Sequence, residues 1–128
     1  MVSPALNRVV VVSPSVESPT ASPPDDLDLK VDALPDGTVV ITPAGELDLG
    51  TVPRFDRALT DAESRGPRRI VIDLGSLAFM DSSGLRALLA ARGRAAERVY
   101  RLVLVPGTPR IQRVFSITGT EPLFTFAD

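Results

Sequence analysis

Polar and apolar residues alternate along Leu27–Ala33, the period of two that is typical of a strand with one face in water. The segment Pro35-Asp36-Gly37 follows and has the residue types of a tight turn. Residues 38–42 are β-branched at every position and continue as a second strand. The pattern therefore predicts an antiparallel hairpin at the start of the folded region.

The spacing of the apolar residues changes after this hairpin from a period of two to that of a helix. Three later segments carry apolar residues at helical spacing, with a capping residue, a proline or a glycine near their ends. The spacing predicts helices over about residues 52–66, 82–97 and 109–119. Thr51 is a candidate N-cap of the first helix, and the second begins at Ser82 or Ser83.

Short runs rich in leucine and β-branched residues lie between and after these helices, at residues 70–74, 102–105 and 123–126. The first run is continuously apolar up to Asp73, as in a strand that is covered on both faces. The order ββαβαβαβ predicts an α/β fold with a mixed β-sheet. Its later strands are parallel and joined by right-handed crossovers, which pack the helices on the sheet.

The first 26 residues have a different composition, with five prolines among many serines. Such a segment buries little apolar surface, so we expect a disordered tail over residues 1–26 and one domain over residues 27–128. The short apolar cluster at residues 9–12 leaves one alternative open, since it could pair with the sheet as an extra strand.

Composition excludes several classes of function. The sequence contains no cysteine and no histidine, which rules out disulfides, Cys/His zinc sites and a Ser-His-Asp triad, and we expect no metal or cofactor. Fourteen basic residues nearly balance 16 acidic ones without a long run of either sign, which argues against direct nucleic-acid binding. No apolar segment is long enough for a signal peptide or a bilayer span, so the sequence indicates a cytoplasmic protein.

The segment 79–85 combines Asp81, Ser82, Ser83 and Gly84 at the junction of a buried strand and a helix. A serine at that position is exposed and lies beside the positive end of the helix dipole. The ordinary alternative is that the serine only caps the helix, as most serines at helix starts do.

A second acidic segment, Gly45-Glu46-Leu47-Asp48, is predicted as the turn between the second strand and the first helix. If the two strands are neighbours, Asp48 lies close to Asp81 and Ser82 at one edge of the sheet. The alternative for Asp48 is a turn or cap residue of the first helix, and the sequence pattern leaves both interpretations open.

Four segments, at residues 46–48, 71–74, 79–85 and 114–119, resemble in content and spacing the STAS domain of anti-sigma factor antagonists. The resemblance extends over residues 27–128. It implies that Ser82 is the residue phosphorylated by a cognate anti-sigma factor that is itself a serine kinase. It also places Asp48 on the same surface, together with Glu46, Asp81, Ser83 and Gly84, and leaves Ser83 as a second candidate that is better explained as a cap.

The resemblance implies a switching cycle rather than an enzyme. The unphosphorylated protein binds the anti-sigma factor and releases a sigma factor, phosphorylation of Ser82 reverses this, and a metal-dependent serine phosphatase restores the starting state. Two departures from the family pattern are expected, an additional Ser-rich segment at the start and the absence of a final helix.

Two other interpretations stay open at this point. The first is a STAS module that does not switch and instead acts as a scaffold or ligand sensor in a stress-signalling or transport assembly. The second is a small hydrolase that uses Asp48 and Asp81 as acid and base. The sequence offers no electrophile or substrate cleft for the hydrolase.

Overall fold

The computed structural model of the chain describes residues 26–128. The predicted disordered tail and the possible extra strand at residues 9–12 lie outside the described residues, apart from Asp26, which precedes the first strand.

The described chain contains five strands and three α-helices, with two short 3-10 turns. The strands are β1 (Leu27–Ala33), β2 (Thr38–Leu47), β3 (Arg69–Asp73), β4 (Leu77–Met80) and β5 (Arg101–Val105). The helices are α1 (Val52–Glu63), α2 (Ser82–Arg98) and α3 (Pro109–Thr118). The 3-10 turns are Leu74–Ser76 and Glu121–Leu123.

The strands form one mixed sheet in the order β1-β2-β3-β5. Strand β4 pairs with the last residues of β2, beyond the part of β2 that pairs with β3. Strands β1 and β2 are antiparallel, with Leu27 opposite Gly45 and Ala33 opposite Val39, which confirms the predicted hairpin. The β2–β3, β2–β4 and β3–β5 pairs are all parallel, as predicted for the later strands. The two crossovers through α1 and α2 step in the same direction along the sheet, and the two helices contact each other. Connections of the same hand place such helices on one face of a sheet.

Two elements differ from the sequence-based prediction. Strand β4 was not predicted, and because it pairs with residues 45–47, it extends β2 through Leu47, where a turn was expected. The predicted last strand at 123–126 is reduced to a 3-10 turn and a single bridge between Phe126 and Leu104. The N–H groups of Leu123 and Phe124 donate within this turn, to the carbonyls of Thr120 and Glu121, so they do not pair with a strand.

The core is a single cluster that joins alternate positions of the sheet to the inner faces of the helices. In β3, Ile70 and Ile72 are fully buried, while Val71 and Asp73 are only half-buried. The prediction that this strand is covered on both faces is therefore wrong, because one face is only partly covered. The fully buried side chains that contribute most volume are Phe55, Phe115, Ile41, Leu47, Leu59, Ile70, Ile72, Leu74, Leu77, Leu88, Leu104 and Ile111.

A buried carboxylate ties α1 to α2 and to the start of β5. Glu63 lies in the last turn of α1 and is almost fully buried. Its two oxygens accept hydrogen bonds from Nε of Arg94 at 3.1 and 3.0 Å, and the Tyr100 hydroxyl donates to the same carboxylate. A buried charge is tolerated when it is paired and hydrogen-bonded in this way. The network therefore fixes how the two helices pack at the end of the sheet opposite Ser82.

We expect stability to depend on Tyr100 at high pH. Burial, and then the hydrogen bond to Glu63 and its charge, raise the pKa of the Tyr100 hydroxyl well above its ordinary value near 10. The folded chain therefore keeps this proton after the unfolded chain has lost it. The contribution of Tyr100 is complete below about pH 10 and declines as the pH rises further.

Urea unfolding of the wild type and of Tyr100→Phe at pH 8 and pH 11 tests this expectation. The chain has one tyrosine, so the difference between the two proteins isolates its titration. At pH 8 the variant should be less stable by about 1–3 kcal/mol, because a hydrogen bond to a charged group is lost. At pH 11 the gap should be smaller, and an equal gap at both values would contradict the assignment.

Candidate functional site

Strands β2 and β4 end side by side, and this pairing builds the candidate site. Leu47 is the register partner of Met80, and the N–H of Asp81 donates to the carbonyl of Leu47 at 3.3 Å. Asp48 and Asp81 are the residues that directly follow this last pair, and the paired strands lie about one strand spacing, roughly 5 Å, apart. The structure thus brings together the two acidic segments that the sequence analysis singled out.

Asp81 is the N-cap of α2. Its backbone is extended, and its Oδ1 accepts hydrogen bonds from the N–H groups of Ser83 at 2.8 Å and Gly84 at 3.2 Å. The prediction that Ser83 caps the helix is therefore wrong, because Ser83 already lies in the first helical turn. The short Asp81 side chain satisfies two of the unpaired N–H groups there, which is the usual function of an aspartate cap.

Ser82 is the first residue of α2 and its side chain is exposed. Because Asp81 caps the helix, the Ser82 hydroxyl is not needed for capping, and it makes no hydrogen bond with any residue of the described range 26–128. The serine is therefore accessible at a rigid helix start. A hydroxyl in this setting can be modified without breaking an interaction of the fold.

Asp48 organises the turn between β2 and α1. Its Oδ1 accepts from the N–H groups of Gly50 at 3.0 Å and Thr51 at 3.1 Å, so this half-buried carboxylate has the turn function considered above. The Thr51 hydroxyl donates to the carbonyl of Glu46 at 2.8 Å and accepts from the N–H of Asp48 at 3.0 Å. Thr51 occupies the N-cap position of α1 but makes no side-chain capping bond to that helix.

Glu46 and Gly84 occupy different layers of the site. Glu46 lies in β2, opposite Phe79 of β4, and is exposed. Gly84 lies in the first turn of α2 and is buried. A Cβ atom added there would lie 2.8 Å from the carbonyl oxygen of Leu47 and 2.7 Å from Cγ of Met80. Gly84 therefore contributes to the site by allowing α2 to approach the ends of β2 and β4 closely.

Two apolar side chains of the same edge were missed by the sequence analysis. Leu49 follows Asp48 in the turn and is 76% exposed, and Phe79 on β4 is 38% exposed. The signal for Leu49 was present in the sequence, because a large apolar residue stands between Asp48 and Gly50 in a turn that is otherwise polar.

Other chemistry is sparse around this edge. Arg86, one helical turn after Ser82, is exposed and forms no ion pair with the residues at 26–128. Within the same range, no three carboxylates are grouped closely enough to hold a metal ion. None of the three helices combines the length and the apolar character that crossing a bilayer requires.

Comparisons with known proteins agree with this architecture. The STAS domain model matches residues 31–128. The anti-sigma-B factor antagonist of Staphylococcus aureus is 34% identical over 79 residues, which cover 62% of this chain and 73% of that protein.

Two solved structures extend the comparison. An anti-sigma factor antagonist from Mycobacterium paratuberculosis superposes with a TM-score of 0.71 at 28% identity, covering 83% of this chain and 89% of that one. The Bacillus cell fate determinant SpoIIAA, solved in its phosphorylated form, superposes with a TM-score of 0.61 at 28% identity, covering 78% and 91%. The domain model spans most of the chain and the fold is shared, and the chain therefore belongs to the STAS domain family.

Proposed function

We propose that the chain is an anti-sigma factor antagonist whose affinity for its partner is switched by phosphorylation of Ser82. The observation that carries the proposal is the exposed Ser82 hydroxyl, which no described residue engages and which stands beside the carboxylate of Asp81 at the end of paired strands. The related SpoIIAA has been solved both unphosphorylated and phosphorylated, which supports a modification of this kind in the family.

The electrostatic effect of the modification follows from the neighbours of Ser82. A phosphoserine adds about -1.5 to -2 charges at neutral pH. Asp81 precedes it, and Asp48 lies on the adjacent strand end. Two unit charges about 4 Å apart at an effective dielectric near 20 interact by roughly 4 kcal/mol. Because these groups also repel each other in the free chain, only the increase of the repulsion on desolvation weakens binding, and an increase of about 2.7 kcal/mol corresponds to a hundredfold loss of affinity.

Arg86 acts in the opposite direction. Its position four residues along α2 allows its guanidinium to approach a phosphate on Ser82 and to neutralise part of the charge. Its exposure keeps that attraction weak, since an exposed ion pair contributes at most about 1 kcal/mol. We propose that the two carboxylates outweigh this single cation, so that the net effect of phosphorylation is repulsive.

The cycle requires partners and no cofactor of its own. The anti-sigma factor supplies the kinase activity and the ATP, and a metal-dependent serine phosphatase removes the phosphate. We place the cycle in the cytoplasm, because its output is a free sigma factor. We assign no catalytic role to Asp48 and Asp81, since one oxygen of each carboxylate is already hydrogen-bonded to the backbone of its own turn.

Intact-mass analysis tests the proposal. The chain is incubated with ATP and each serine-kinase anti-sigma factor encoded in the source genome, and peptide mapping then locates any added phosphate. We expect one phosphate, located on Ser82, and none in Ser82→Ala. A chain that binds one of these partners but gains no phosphate would instead be a constitutive scaffold of the same fold, and the switch would be excluded.

A further inference from the structure

Leu49 is exposed in a way that the fold does not explain. Two residues earlier Leu47 is completely buried, while Leu49 exposes 76% of its surface to solvent. Single exposed leucines are common on protein surfaces and need no explanation by themselves. The position of Leu49 is the unusual feature, because it stands in the turn that holds Asp48 and next to the paired strand ends that hold Asp81.

The turn holds Leu49 in a fixed position. The backbone N–H groups of Thr51 and Val52 donate to the carbonyl of Asp48 at 3.1 and 2.9 Å, and the Asp48 carboxylate accepts from the N–H of Gly50 and also from that of Thr51. The Thr51 hydroxyl closes the other side of the turn through Glu46. An apolar side chain on such a rigid support loses little conformational freedom on binding, which favours an anchoring role.

The surroundings define the chemistry of the group that would cover Leu49. The exposed or half-exposed neighbours on the two strand ends are the carboxylates of Glu46, Asp48 and Asp81, together with the partly exposed ring of Phe79. A complementary surface is therefore an apolar pocket that brings no further negative charge against these carboxylates.

We propose that Leu49 is the apolar anchor by which the chain selects its anti-sigma factor, inserting into an apolar pocket on that protein. The inference rests on the proposed function, because it names the same partner. It separates two roles on one surface. Leu49 determines which partner binds and how tightly, and the state of Ser82 determines whether binding occurs.

Binding of variants to the anti-sigma factor tests the inference. The probe is the anti-sigma factor of the source genome that binds the unmodified full-length chain most tightly, titrated calorimetrically without ATP. Leu49→Ala should weaken binding at least about tenfold, because most of a buried leucine side chain is removed from the contact. Leu49→Asp should weaken it further.

Val99→Ala is the matched control. Val99 is 85% exposed and follows the last residue of α2, so about 25 Å of helix separates it from Ser82. It should bind within about twofold of the wild type. Thermal unfolding should show that Leu49→Ala keeps the wild-type fold, since its side chain contributes little to the core.

The outcomes separate this inference from the proposed function. If Ser82→Asp abolishes binding but Leu49→Ala binds like the wild type, the anchor is wrong and the switch is retained. If Leu49→Ala weakens binding while Ser82→Asp does not, the anchor is retained and the switch is wrong. An equal loss in Leu49→Ala and Val99→Ala would overturn the anchor, because exposure alone would then explain the effect.

Discussion

A Ser82→Asp variant is expected to bind the anti-sigma factor at least about a hundredfold more weakly than the wild type, a loss of roughly 2.7 kcal/mol. The substitution adds a permanent carboxylate beside Asp81 and near Asp48, at the strand ends that we propose as the centre of the contact. Desolvation of three neighbouring negative charges strengthens their repulsion. Calorimetric titration of the purified proteins measures the effect directly.

Ser82→Ala is the control for the loss of the hydroxyl itself. Since that hydroxyl makes no hydrogen bond with the described residues, its removal should leave both the fold and the affinity nearly unchanged while blocking phosphorylation. A further check is salt, because raising the ionic strength screens the exposed part of the repulsion and should reduce the defect of Ser82→Asp. Equal affinity of the aspartate and alanine variants would refute the charge switch.

Gly84→Ala is expected to destabilise the domain by about 1–3 kcal/mol. The added Cβ would stand 2.8 Å from the backbone oxygen of Leu47, 3.0 Å from its Cγ and 2.7 Å from Cγ of Met80. A backbone atom cannot move aside as a flexible side chain can, so α2 has to shift away from the strand ends. Chemical denaturation measures the loss of stability, and the same shift should weaken partner binding because it moves Ser82.

Gly93→Ala provides the matched control within the same helix. A Cβ at Gly93 meets nothing within 4 Å, and alanine is the better helix former by about 1 kcal/mol. This variant should therefore be more stable than the wild type by about 0.5–1 kcal/mol. If Gly84→Ala were stabilised to a similar extent, the close packing of α2 against the strand ends would not be a constraint.

The local pattern of the sequence was sufficient to predict most of the secondary structure. The hairpin was predicted by alternation and by the turn Pro35-Asp36-Gly37, and the structure confirms its antiparallel pairing. Helix α3 was predicted from the proline that opens it and from Gly119, which ends it in the left-handed conformation. These signals succeed because each depends on residues that are neighbours in sequence.

Strand β4 could not be predicted from the local sequence pattern. It has four residues, and its two middle positions are both exposed, so it shows no period of two. It exists because residues 45–47 of β2 extend past β3 and need a partner. The same tertiary pairing places Asp48 beside Asp81, so the neighbourhood of the site was predicted only under the assumption that the two strands are adjacent.

The Glu63 network could not be predicted from sequence. A glutamate near the end of an amphipathic helix looks like an ordinary solvent-facing residue, and its partners Arg94 and Tyr100 lie 31 and 37 residues further along the chain. Their contact depends on the crossing of α1 and α2 and on the start of β5. Burial of a charge is therefore a result of packing, which the sequence pattern does not reveal.

The hydrogen-bonded turn at Asp48 and the capped helix start at Asp81 also have a consequence for timing. One oxygen of each carboxylate is already held by backbone N–H groups, so neither has to rearrange before a partner can dock. Under the proposed switch, the duration of the signal is then the lifetime of the phosphate ester on Ser82, which the rates of the kinase and the phosphatase determine.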